Sequence, residues 1–75
     1  MKYRVVFEYQ SEDSAMSDVY NCQDEQQAQE KFDELRDSLM RAINPATSKV
    51  TDEPTLFSVV DRNEGVRGYV RIVTD

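Results

Sequence analysis

Two hydrophobic periods divide this chain. Over residues 2–10, KYRVVFEYQ, Tyr3, Val5, Phe7 and Tyr9 alternate with Lys2, Arg4, Val6, Glu8 and Gln10. A period of two puts the first set on one face of a strand and the second set on the other. The polar run from Ser11 to Ser17 reads as a loop, and Asp18 to Gln23 as an antiparallel return strand. Thr55 to Asp61 is a β-rich apolar run and Val66 to Thr74 alternates again. Asn63-Glu64-Gly65 between them has the form of a short hairpin turn with Gly65 at positive φ.

From Asp24 to Ile43 the period changes. Ala28, Phe32, Leu35, Leu39 and Ile43 recur at spacings of four and three, which aligns them on one stripe of a helix. Asp24 with Gln27 three residues later has the form of a capping box, Asp24 and Glu25 suit the positive end of the helix dipole, and Arg41 suits the negative end. Asn44 before Pro45 is pushed out of the α region and stops the helix. Residues 44–54, NPATSKVTDEP, carry both prolines and mostly polar side chains, and read as the connection back to the sheet.

The predicted fold is therefore a single α+β domain over residues 1–75, in the order β-β-α-β-β. It has two layers, a four-stranded antiparallel sheet with one helix on one face. One helix cannot cover both faces. With Tyr3, Val5, Phe7, Tyr9, Val66, Val70 and Ile72 assigned to the core, the open face carries Lys2, Arg4, Arg67, Tyr69, Arg71 and Val73, near Val6, Leu56 and Val60. A slip of one residue in the last strand would turn Arg67, Tyr69 and Arg71 toward the core.

Composition narrows what such a domain can do. A core of this size supplies about 3–5 kcal/mol and is often reinforced by a disulfide, a metal or a second subunit. Cys22 is the only cysteine and histidine is absent, so an intrachain disulfide is impossible and the usual ligands of zinc, haem and iron–sulfur clusters are missing. Self-association is left, and a homodimer meeting through sheet faces or edge strands is one expectation. A lone cysteine in so small a domain favours a reducing compartment and no segment approaches membrane-spanning length, so the expected setting is the cytoplasm, without a membrane partner or a cofactor.

The net charge of −6 is unevenly spread. Between Glu8 and Asp37 ten carboxylates face two cations, Lys31 and Arg36, a balance of −8. Asp24, Glu25, Glu30, Asp33, Glu34 and Asp37 fall in the helical segment, with like-charged pairs Glu30/Glu34 and Asp33/Asp37 at i,i+4 that cost a few tenths of a kcal/mol each. An acidic helix of this kind can present charge to a basic partner, including a nucleic-acid-binding protein, and it also keeps a small protein soluble. The open face is the opposite pole: Lys2, Arg4, Arg67 and Arg71 surround Tyr69. Such a face is that of an ordinary solvated sheet, of a protein contact, or of a platform on which single-stranded nucleic acid stacks.

Catalysis finds little support. Without histidine the usual base beside a serine or cysteine nucleophile is missing, and no carboxylate pair is set among apolar residues that would separate their pKa values. Asp61-Arg62-Asn63-Glu64-Gly65 departs from a calcium loop in its glycine position and lacks the later bidentate Glu. The strand, strand, helix, strand, strand order recurs in many short proteins, among them some encoded by phages and mobile elements that inhibit host defence complexes, a likeness of shape without a shared motif. The expectation is a non-catalytic protein-binding module, an acidic inhibitor or adaptor that engages a partner through its helix, its open face or both. A single-strand nucleic-acid binder using Tyr69 is the alternative.

Overall fold

The computed structural model describes residues 2–44 and 46–74. Among these residues five strands and one helix follow in the order β1 (Tyr3–Gln10), β2 (Ala15–Cys22), α1 (Glu25–Ala42), β3 (Ser48–Glu53), β4 (Leu56–Asp61) and β5 (Val66–Thr74). All strands join one antiparallel sheet in the spatial order β2-β1-β5-β4-β3. The α+β class and the two layers follow the sequence pattern; the number of strands does not.

Residues 44–54 are not one connecting loop, because Ser48–Glu53 pair with β4 as a fifth strand. Only Val50 among those six is strongly apolar, so burial gives almost no periodic signal there. Its pairing with β4 is a matter of backbone hydrogen bonds, and it becomes the outer edge of the sheet. The second strand begins at Ala15 and not at Asp18, so part of the polar run from Ser11 to Ser17 is strand as well, and Gln23 lies beyond its end. Lys2 precedes β1 instead of belonging to it. Pro45 lies outside the described residues.

The helix starts where the capping signal puts it. Asp24 is extended and its side chain accepts a hydrogen bond from the Gln27 N–H at 2.8 Å. Gln27 returns the contact one residue earlier than a capping box would, accepting from the Gln23 N–H at 3.1 Å. At the other end Ile43 is extended and buried, and the Asn44 carbonyl accepts from the N–H groups of Thr47 and Ser48. Those bonds turn the chain directly into β3.

Ala28, Phe32, Leu35 and Leu39 of α1 pack on Val5, Phe7, Val66 and Val70 beneath the helix, with Phe57 and Val59 of β4 in the same cluster. The helix reaches β5, β1 and β2. The closest approach is at Gly68, where an added Cβ would lie 2.8 Å from Leu39 Cδ2 and 3.0 Å from the Glu8 carbonyl oxygen. Side chain is absent from β5 at the one position where the helix needs the space.

Among the described residues Asp61 is the one buried ionisable group, at 1% exposure. Burial alone would raise its pKa. The Thr47 hydroxyl at 2.9 Å, the backbone N–H groups of Glu64 and Asn63, and the Ser48 hydroxyl all donate to the carboxylate, and together they hold it below the ordinary carboxylate range. The same carboxylate thus fixes the β4–β5 turn, which contains Gly65 at φ 66°, and ties the start of β3 to the end of β4. Asp61 acts as a structural clasp.

The candidate docking face of the sheet

The register decides which side chains share the face that the helix leaves bare. Arg67, Tyr69 and Arg71 of β5 stand directly opposite Gln10, Glu8 and Val6 of β1. On the other side of β5 they stand opposite Val60, Ser58 and Leu56 of β4. Strand β2 adds Ala15, Ser17 and Val19 beside Gln10, Glu8 and Val6, and β3 adds Lys49 beside Val60. Gly68, Val70 and Ile72 point the other way, so β5 holds the expected register and Arg67, Tyr69 and Arg71 stay on the open side.

Two cross-strand pairs form the centre of this face. Arg67 donates from Nε at 3.1 Å and from Nη2 at 2.9 Å to Gln10 Oε1, which fixes the plane of the guanidinium. Tyr69 is half-buried and stands opposite Glu8. Partial burial, the Glu8 charge and hydrogen bonding to Glu8 push the phenol above its ordinary range against the opposing pull of Arg71. The phenol therefore remains a donor throughout neutral and mildly alkaline pH. Around these residues lies a shallow concavity of about 430 Å³, lined by Glu8, Ser17, Ser58, Val60, Arg67 and Tyr69 among others.

The face is mixed. Arg4, Lys49, Arg67 and Arg71 provide four positive charges against Glu8 and Glu53, while Val6, Val19, Leu56 and Val60 make apolar contact area in the neighbouring rows. Lys2 lies exposed at the start of β1, off the strand itself. Glu8, Gln10 and Lys49 were not among the residues singled out from the sequence. The alternation of β1 already places Glu8 and Gln10 on this side, whereas their partners become visible only with the β1–β5 register, and Lys49 only with β3.

The acidic residues of the helix occupy two different places. Glu30, Asp33, Glu34 and Asp37 project opposite the core stripe, away from the sheet. Local bonds moderate their repulsion: Gln26 donates to Glu30 at 3.4 Å, Gln29 to Asp33 at 3.1 Å, and Lys31 pairs with Glu34 at 3.3 Å. Asp24 is occupied by the helix cap and Glu25 lies in the first turn. The acidic stripe and the basic sheet face thus lie on opposite sides of the molecule. Among the described residues no helix is long and apolar enough to cross a membrane.

No protein-family model, curated protein or solved structure matches this chain.

Proposed function

We propose that the protein is a non-catalytic binding module, an inhibitor or adaptor that holds an acidic surface of a partner protein on its open sheet face. The observation that carries this reading is the centre of the face, where Arg67 is pinned by Gln10 and Tyr69 stands opposite Glu8 beside Arg71, Val6 and Leu56. Arginine and tyrosine are the side chains that concentrate binding energy at interfaces, and fixing them in the free protein lowers the ordering cost of association. The acidic helix then supplies solubility and steers the approach, repelling an acidic partner from the wrong side.

The test compares three immobilised baits in extract from the native host: wild type, Arg71→Glu with Tyr69→Ala, and Glu30→Lys with Glu34→Lys. A protein held by wild type and by the helix variant but lost from the sheet variant supports this reading. Loss from the helix variant alone overturns it and moves the contact to the acidic stripe. Single-stranded RNA and DNA oligomers are titrated in parallel at low salt. Tight oligomer binding that weakens with salt and disappears with Tyr69→Ala overturns the protein reading in favour of nucleic acid.

A further inference from the structure

The two edges of the sheet are built differently. Edge strand β3 is six residues long and carries Lys49, Asp52 and Glu53, the charged protection common on solvated edges. Asp52 is also bridged to Arg36 of the helix at 3.7 Å. Edge strand β2 is eight residues long, AMSDVYNC, with Asp18 as its one charged side chain and no proline or lysine. Met16 and Val19 on it are 54% and 55% exposed. A long, nearly uncharged edge with apolar side chains on both faces is a template for another strand.

We propose that β2 is the seam of a homodimer, in which two copies pair their β2 strands antiparallel about a two-fold axis at Val19. This inference is independent of the partner reading above. Symmetric antiparallel pairing requires one residue to face its own copy, so each candidate axis fixes every other pair. An axis at Asp18 sets two carboxylates directly opposite each other, which is unfavourable. An axis at Tyr20 shortens the overlap. With Val19 on the axis, Val19 meets Val19, Met16 meets Cys22, Ser17 meets Asn21, and Asp18 meets Tyr20 of the second copy.

Charge complementarity singles out this last register. Tyr20 lies on the helix side of the sheet, with the Lys31 ammonium 4.3 Å from the centre of its ring. Directly opposite side chains approach to about 5 Å, so Asp18 of each copy arrives beside the Tyr20–Lys31 pair of the other. The contact occurs twice by symmetry. Met16, Asp18 and Tyr20 also border an apolar groove against Leu35 and Leu39 of the helix, and the seam brings the second copy's Cys22 to the edge of it. A two-fold axis perpendicular to the sheet keeps both helices on one side, joining the two open faces into one continuous surface.

Analytical ultracentrifugation of the full chain tests the assembly. The expected species has twice the 8.7 kDa monomer mass, and a monomer at several hundred micromolar overturns the proposal. Val19→Asp sets two carboxylates across the axis and should weaken dimerisation at least about tenfold; an unchanged dimer overturns it. Asp18→Lys and Lys31→Glu should each weaken it, and the double variant should recover it. Failure of that recovery, with circular dichroism showing all variants folded, overturns the register.

A covalent readout covers the same register. In Met16→Cys, oxidation by glutathione disulfide should join the new thiol to Cys22 of the second copy. Each bond takes two thiol hydrogens and two electrons and leaves two molecules of reduced glutathione. Within one chain the two positions lie at opposite ends of β2, opposite Tyr9 and Tyr3 of β1, too far apart for a disulfide. Ser17→Cys, on the other face, should not cross-link. Equal cross-linking of both variants overturns the proposed pairing.

Discussion

Replacing Gly68 by alanine tests how closely the helix is fitted to the sheet. The new Cβ would meet Leu39 Cδ2 at 2.8 Å and the Glu8 carbonyl oxygen at 3.0 Å. The Leu39 methyl cannot swing freely, because the side chain is 1% exposed within the core, and the Glu8 carbonyl belongs to the central β1–β5 ladder. Overfilling a packed site costs about 1–3 kcal/mol. Gly68 does not have positive φ, so alanine also restricts the unfolded chain and returns about 0.4–1 kcal/mol. The expected net loss is about 1–2 kcal/mol, or roughly 4–15 °C in Tm for a domain of this size.

Leu39→Ala alone should cost about 2–5 kcal/mol by opening a cavity. It also removes both methyl carbons near position 68, so Gly68→Ala in that background should cost about 1 kcal/mol less, the two changes coupling as neighbours do. Urea unfolding of wild type, both single variants and the double variant at one protein concentration measures the cycle. Additivity within about 0.5 kcal/mol, or a neutral Gly68→Ala, would refute the claim that Leu39 fills the space of the missing side chain.

Two further predictions concern ionisation. In ultraviolet titrations with Tyr69→Phe as the reference, Glu8→Gln should lower the Tyr69 midpoint and Arg71→Gln should raise it, as expected from the opposite contributions of these neighbours; a midpoint insensitive to both would show that burial alone sets it. Asp61 has a native pKa below its unfolded value, so its stabilisation is complete above the ordinary carboxylate range and is lost as pH falls through the native pKa. Asp61→Asn should therefore lie furthest below wild type in Tm near neutral pH, with the gap closing in acid; a gap constant from about pH 7 to 2 would mean that the ionised form is not what the clasp requires.

The strands that bury side chains on one face were legible in the sequence, and those that mainly complete the sheet's hydrogen bonds were not. Strands β1 and β5 lie under the helix, so alternation is imposed on them by water exclusion, and Arg67, Tyr69 and Arg71 could be assigned to the bare side. Strand β3 and the first residues of β2 are at the edges. Ser48, Lys49, Thr51 and Asp52, like Ala15 and Ser17, gain backbone partners with little burial, and polar side chains serve there as well as apolar ones. The same limit applied to the docking face. Its arginines could be placed from β1 and β5 alone, whereas the pairing of Arg67 with Gln10 and of Tyr69 with Glu8 depends on a register linking residues about sixty positions apart.

That pairing of the first strand with the last sets the order of events during synthesis. The β1–β2 and β3–β4 hairpins can each form from neighbouring residues, but β5 alone stitches them together, between β1 and β4. Until β5 has left the ribosome, the inner edges of both hairpins are open and the helix has only part of its floor. Closing the sheet is a high-contact-order step, so the nascent chain carries its apolar strands exposed until nearly all of these residues have been made.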